Sequence, residues 1–253
     1  MPRLYTTPDG LTLAHERALG KGQFGEAILV RRGRHDLYCM KRIFVRTMDE
    51  SAKRDVLREV DVMRTCDHPN IVAFHRSWFE RNRLCILMEY CPCGALDALI
   101  GRFTTARKAF PAHKLGHYIQ ELVGALRYCH DELRVIHRDL KPANILIDEI
   151  GTLKLADFGL AKTVSPNAMC ATYCGSPLYM SPELCNGEEY SFSSDVWALG
   201  CVLYELMALQ SPWASSAMSY PALVKHIRTE EPDYHGLKYD TNLVDLARWM
   251  LRK

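Results

Sequence analysis

The chain lacks a long apolar run. Its longest, Val196 to Leu209, is too short to cross a bilayer and carries Glu205. It also lacks an excess of charge: 32 Lys and Arg against 30 Asp and Glu leave a net +2, which gives neither a nucleic-acid footprint nor an acidic tail. The opening MPRLYTTPDG has no apolar core for a signal peptide, Pro2 excludes myristoylation, and the last residues are not a prenylation box. Ten cysteines are scattered without paired Cys-x-x-Cys motifs, which argues against a zinc site and makes free thiols the expected state. No repeat, low-complexity tract or linker interrupts the 253 residues. A single cytoplasmic or nuclear domain with no membrane anchor of its own is expected.

What is present centres on His137 to Gly159, HRDLKPANILIDEIGTLKLADFG. Ile145-Leu146-Ile147 and Leu153-Lys154-Leu155 flank a turn with Asp148 and Gly151, the pattern of a short β-hairpin. Asp139, Lys141 and Asn144 precede it in a loop enforced by Pro142, and Asp157, Phe158 and Gly159 follow it. A hairpin brings its ends together, so Asn144 and Asp157 should face one pocket with oxygen ligands suited to Mg²⁺, and Asp139 should aim a carboxylate at a hydroxyl. Either aspartate alone could be an ordinary turn residue; both in this order across a hairpin are harder to explain that way.

Residues 11 to 45 read as strands of a small antiparallel sheet. Between the first two lies Leu19-Gly20-Lys21-Gly22-Gln23-Phe24-Gly25, a G-x-G-x-x-G followed by a strand-like run that includes Ala27, where a dinucleotide-binding fold would place a helix. No G-K-[ST] ending supports a P-loop. Alternation puts Lys41 on the apolar face of its strand with Leu37, Cys39 and Ile43. Residues 49 to 65 read as a helix whose stripe of Val56, Val60 and Met63 has Glu59 beside it. Two opposite charges on faces that should be buried are tolerated best if they meet, although each could instead sit at a wet edge. Phe74 to Phe79 and Leu84 to Tyr90 read as two more strands, ended by Cys91-Pro92-Cys93-Gly94. Leu115 to Cys129 carries a helical stripe, and Val196 to Leu209 is apolar nearly all round, as befits a central helix.

HRDLKPAN followed by DFG resembles the catalytic and metal loops of the eukaryotic protein kinases. The resemblance implies an α+β, bilobal fold over residues 1–253: a small antiparallel-sheet lobe to about residue 90 with one regulatory helix, a hinge at about 89–94, and a mainly helical lobe from about 95. It implies ATP and Mg²⁺ as cofactors. Leu19 to Gly25, Ala27 and Lys41 would hold the nucleotide, the backbone of Glu89 and Cys91 would meet adenine, and Met88 would line the back of that pocket. Lys41 would pair with Glu59, Asn144 and Asp157 would bind metal, Asp139 would orient the acceptor, and Lys141 would neutralise the transferring group. Asp195 would anchor the backbone of the His137-Arg138 loop.

Lys141 and Ser176 resemble serine/threonine rather than tyrosine kinases, so serine or threonine hydroxyls of protein substrates are the expected acceptors. HPNIVAFHRSWFE, LCILMEYCPCGAL, CGSPLYMSPELCNGEEYSFSSDVWALGCVLYEL and ALVKHI are similar to the NIMA-related kinases. Two departures stand out: Ala95 replaces an acidic residue usual after the hinge glycine, with Asp97 two positions on, and Ser176 replaces a commoner threonine. By family position Thr172 is an activating phosphorylation site that Arg138 and Lys162 would bind. Glu183 resembles a buried glutamate whose arginine partner should follow Trp249-Met250-Leu251-Arg252-Lys253, so truncation at the C-terminal end is expected. The rival function classes are a scaffold with this fold but no phosphoryl transfer, and a NAD-binding dehydrogenase, which the strand after Gly25 opposes.

Overall fold

The computed structural model describes residues 3–22, 25–46, 48–158, 177–213 and 219–253. Gln23, Phe24, Gly159, Lys162, Thr172 and Ser176, all singled out in the sequence, lie outside them. Contacts divide the chain into two units, with the break between Pro92 and Cys93.

The first unit is a six-stranded antiparallel sheet and one helix. Its strands are β1 (Leu4–Thr6), β2 (Thr12–Gly22), β3 (Gly25–Arg32), β4 (Asp36–Phe44), β5 (Phe74–Glu80) and β6 (Arg83–Glu89), and they run in the order β1-β2-β3-β4-β6-β5. Strand β1 is too short to show a period in the sequence. It forms because Leu4, Tyr5 and Thr6 pair with β2 while Tyr5 drops into the core. Although β1 and β5 are opposite edges, Tyr5 and Trp78 share one apolar cluster with Leu13, Ile28, Val30, Met40, Cys85 and Leu87. An Asp9–Arg76 ion pair of 2.5 Å joins the turn after β1 to β5. The sheet therefore curls over its own core, as right-handed strand twist favours. Arg42 lies beside that core, 2% exposed, with Glu26 at 2.9 Å, Glu80 at 3.5 Å and the Tyr5 ring at 5.1 Å.

The helix α1 (Glu50–Thr65) starts where expected because the Asp49 side chain accepts a hydrogen bond from the Ala52 N–H at 2.8 Å. It packs against β5 and buries Val56, Glu59, Val60 and Met63. Leu37, expected on the apolar face, is exposed at 40% near the start of β4, on the strand face opposite Met40 and Tyr38 of the apolar cluster.

The second unit is helical apart from one hairpin. It contains α2 (Leu96–Ala106), α3 (Ala112–Arg127), the hairpin strands β7 (Ile145–Ile147) and β8 (Leu153–Leu155), a short α4 (Pro182–Cys185), α5 (Phe192–Ala208), α6 (Tyr220–Thr229) and α7 (Thr241–Met250). As its composition requires, α5 is central: Trp197, Leu199, Cys201, Val202, Leu203 and Leu206 are all buried. Gly200 lets α7 approach, since a Cβ there would sit 2.7 Å from the Met250 Cβ. The α+β class expected from the sequence, a sheet unit followed by a helical unit, is the one observed. Among the described residues no helix is long and apolar enough to cross a membrane, and eight described cysteines are free. Burial pushes the thiols of Cys66, Cys85 and Cys185 up to about 11, so they stay protonated near neutrality.

Candidate active site

In the helical unit the expected hairpin forms, with Ile145 opposite Leu155 and Ile147 opposite Leu153. Just before it, Pro142 to Asn144 make one 3-10 turn that Pro142 can begin because its missing N–H is not needed there. This turn folds the polar residues onto one another. The Lys141 ammonium lies 2.9 and 3.1 Å from the Asp139 carboxylate oxygens. The Asn144 side-chain amide donates to the Asp139 carbonyl at 2.8 Å and to its carboxylate at 2.9 Å. Beyond the strands, the Ala156 N–H donates to the Asn144 carbonyl at 2.9 Å, which sets Asp157 next to the start of the hairpin.

This loop is held from beneath by a residue of α5. Asp195 is fully buried and accepts hydrogen bonds from the N–H of His137 at 2.7 Å and of Arg138 at 3.0 Å. The oxygen that accepts from His137 also meets His130 Nε2 at 2.8 Å. His130 is delivered by a single π-helical turn, Tyr128–Glu132, that continues α3. The anchoring role expected of Asp195 is thus visible, whereas His130 was not picked out in the sequence. A histidine at the end of an amphipathic stripe carries no distinguishing signal.

His137 was missed as well, although it opens the motif. It is fully buried, and burial holds its pKa below the ordinary value despite the neighbouring carboxylates of Asp195 and Asp139. The Asp139 N–H faces Nδ1 at 3.4 Å, so Nε2 carries the proton and donates to the Ala156 carbonyl at 3.1 Å. The neutral ring therefore ties the segment before the hairpin to the segment after it. It also lies 4.9 Å, centroid to centroid, from the buried Phe158. Arg138 and Asp157 have left-handed backbone angles, φ 67° and 56°, which cost non-glycine residues about 1–2 kcal/mol each. Such angles persist where surrounding contacts hold them, as Asp195 does at Arg138.

The residues present fit a magnesium ion. With its amide nitrogen engaged by Asp139, Asn144 keeps an oxygen as ligand, and Asp157 adds a carboxylate. No group of three or more His, Cys, Asp or Glu residues forms a metal cage among the described residues. Mg²⁺ prefers this arrangement, one or two protein oxygens completed by water and phosphate.

In the sheet unit, strand register places Gly20, Ala27, Lys41 and Ile86 in one row across β2, β3, β4 and β6. Met88 shares that face through its pairing with Cys39, two residues before Lys41. Lys41 Nζ lies 3.9 Å from Glu59 Oε1, so the two charges do meet, at the long end of an ion pair. The carboxylate is 7% exposed and the ammonium side 28%.

The three glycines differ. Gly25 is demanded by the fold, because a Cβ would stand 2.1 Å from the Arg42 carbonyl oxygen. At Gly20 and Gly22 a Cβ would meet nothing within 4 Å, so the described structure alone gives no reason for glycine there. A ligand approaching the backbone closely would supply that reason, which is the fit expected of a phosphate chain. Lys21 is exposed and Leu19 partly so.

The backbone expected to meet adenine lies at the end of β6 and just beyond it. The Glu89 N–H donates to the Ala73 carbonyl at 2.9 Å, so that donor is already engaged within the sheet unit, and the Glu89 carboxylate accepts from the Ala73 N–H at 3.1 Å. Cys91 is buried. Asp97 bends back to accept from the Ala98 N–H at 2.6 Å, so it does not stand in for the acidic side chain missing at Ala95. Glu183, expected as a buried carboxylate, is only partly buried and accepts from the hydroxyls of Ser194 at 2.6 Å and Ser193 at 3.4 Å. Arg138 is exposed, as a phosphate-binding residue would need to be.

Comparison with known proteins gives a consistent picture. The family described as protein kinase domain matches residues 13–253. The serine/threonine-protein kinase Nek9 of Mus musculus is 36% identical over 235 residues, which is 91% of this chain and 23% of that protein. Nek1 of the same organism is 37% identical over 204 residues, 79% of this chain and 16% of that protein. NUAK family SNF1-like kinase 2 of Homo sapiens is 34% identical over 235 residues, 92% of this chain and 36% of that protein. The chain thus spans about a quarter or less of the two Nek relatives. The resemblance to NIMA-related kinases drawn from the sequence is borne out.

Proposed function

Because this chain belongs to the protein kinase family, we propose that it transfers the γ-phosphoryl group of ATP to serine or threonine hydroxyls of protein substrates. The observation that carries the proposal is the interlocked Asp139, Lys141 and Asn144, set immediately before a hairpin that returns Asp157 beside them. Asp139 accepts the hydrogen of the acceptor hydroxyl and points its oxygen at phosphorus. Lys141 offsets negative charge on the moving group, and its present contact with Asp139 keeps it within reach. Lys41, steadied by Glu59, holds the nucleotide phosphates, and the backbone at Gly20 and Gly22 lies close against them. Asn144 and Asp157 are the residues that would hold Mg²⁺, whose charge neutralises the phosphates when bound. Little covalent chemistry is asked of the protein, so positioning does most of the catalytic work.

Phosphorylation of Thr172 as an activating event and a cytoplasmic setting belong to the same proposal. Mass spectrometry of active enzyme finding Thr172 unmodified, together with a fully active Thr172→Ala, would remove the first. The catalytic reading is tested by transfer of radiolabel from ATP to casein or myelin basic protein. Transfer by the native chain and its loss in Asp139→Asn are expected; equal incorporation by the two proteins would leave a scaffold reading in its place.

A further inference from the structure

The corner where α2 passes into α3 has an unusual charge distribution. From Ala98 to Gln120 there is no aspartate or glutamate, while Arg102, Arg107, Lys108, His113, Lys114 and His117 all fall within the run. Five of these six side chains are exposed, and Lys114 is partly so, its ammonium 5.3 Å from the centre of the Tyr118 ring. None of the six makes an ion pair among the described residues.

Several cations elsewhere are answered by carboxylates. Arg31 meets Glu16 at 2.6 Å, Lys53 meets Glu50 at 2.7 Å, Arg58 meets Asp55 at 3.6 Å, and Arg248 meets Asp245 at 3.3 Å. Three acids close to the corner, in sequence or through Tyr239, are engaged by backbone N–H groups. Asp97 accepts from the Ala98 N–H at 2.6 Å, Glu121 from the Leu153 N–H at 3.0 Å, and Asp240, next to a tyrosine that touches the corner, from the Asn242 N–H at 2.7 Å. The local helix rule is also broken. The first turn of α3 contains no acid and no side-chain cap, yet it carries His113 and Lys114 at the positive end of the helix dipole. Sequences that violate such a rule without an internal gain do so at functional surfaces.

The corner is stiff enough to present these charges as a set. Phe103 and Phe110 stack with centroids 3.9 Å apart, Tyr239 donates to the Phe110 carbonyl at 3.0 Å, and Arg107 is held left-handed at φ 52° as the cap of α2.

We infer that the α2–α3 corner docks an acidic segment of a protein partner. Charge complementarity selects the class: four lysines and arginines with two histidines, unopposed, call for a run of carboxylates. A nucleic acid fits less well, because the chain as a whole is only +2 and the aromatic rings here are turned inward onto each other, leaving no platform on which bases could stack. The inference concerns binding alone and does not depend on phosphoryl transfer.

Fluorescence anisotropy of the full chain with a labelled short poly-glutamate peptide tests it. Binding that weakens steeply with added salt is expected, with at least a ~10-fold loss in the triple variant Arg102→Glu, Arg107→Glu, Lys108→Glu. Exchange of Arg102 and Arg107 for lysine should preserve binding, and Arg32→Glu, an exposed charge in the sheet unit, should leave it unchanged. Should the triple variant unfold in a melting control, the milder pair Arg102→Gln and Lys108→Gln takes its place with a loss of about threefold. Absence of binding by the native chain, equal binding by the corner variants, or tighter binding to an oligothymidylate of equal charge would each overturn the proposal.

Discussion

The two units prepare their charged residues in different ways. In the helical unit, Asp139, Lys141 and Asn144 lie within six positions of sequence and hold each other at 2.8 to 3.1 Å, with Asp195 and His137 fixing the backbone beneath. In the sheet unit, Lys41 and Glu59 come from separate elements, β4 and α1, and stand 3.9 Å apart. One arrangement is built by local chain geometry on a backbone that Asp195 holds. The other depends on where a helix rests against a sheet, so a small displacement of α1 alters it without breaking any covalent neighbourhood. The comparison teaches which half of the machinery is preformed and which is adjustable.

The sharpest way to break that contrast is to substitute within the preformed half. Asp139→Asn should lower kcat on the order of 10²–10⁴-fold with KM for ATP nearly unchanged, because the carboxylate addresses the acceptor and not the nucleotide. Asp157→Ala should differ by weakening Mg²⁺-dependent nucleotide binding as well, read directly by calorimetry. A shared phenotype for the two would mean that the hairpin does not separate acceptor from metal.

Removing the support beneath tests the same half through folding. Asp195→Ala leaves the N–H groups of His137 and Arg138 without their acceptor in a buried place, at about 3 kcal/mol. For a chain of this size that corresponds to a fall in melting temperature of roughly 10 °C, accompanied by loss of turnover. A variant with native melting behaviour would show that the loop keeps its shape unaided, and the case for a preformed site would then be stronger.

The adjustable half should respond more gently. Glu59→Gln is expected to raise KM for ATP by a few-fold to about tenfold while leaving kcat within a factor of a few, since a 3.9 Å pair with a partly exposed ammonium contributes about 1 kcal/mol. If steady-state kinetics showed a loss as deep as that of Asp139→Asn, the looseness seen at this pair would have no functional meaning.

How much of this was legible before the structure follows the same division. The hairpin and its loop could be read because they depend on residues close in sequence: two short apolar runs, Pro142 and the turn with Asp148 and Gly151. Helix α1 was readable from its stripe of Val56, Val60 and Met63. Strand β1 could not be read, because three residues have no period and Tyr5 is buried only by strands that return to it much later in the chain. His130 was hidden for the same reason: only the fold brings it to Asp195, sixty-five positions away. The engagement of the Glu89 N–H by Ala73 is likewise a pairing that only the fold brings about.

The smallest expected effect concerns a carboxylate with no part in the proposed chemistry. Glu205 is the acid inside the apolar helix α5; it accepts a hydrogen bond from the Tyr179 hydroxyl at 2.6 Å. Burial raises its pKa above the usual carboxylate range, more than the tyrosine bond lowers it. In the folded chain it therefore keeps its proton at pH values where the unfolded chain has lost it. Above about pH 4.5 the folded state binds more protons than the unfolded state, so this group's contribution to stability falls as pH rises, until the folded group too has ionised. Glu205→Gln retains an acceptor for Tyr179 and has no charge to desolvate. Urea denaturation at a series of pH values should show the native chain losing stability relative to Glu205→Gln as pH rises from 4.5 toward neutrality. Parallel curves would mean that Glu205 is ionised in both states at no cost, and that the bond from Tyr179 outweighs the desolvation of the helix interior.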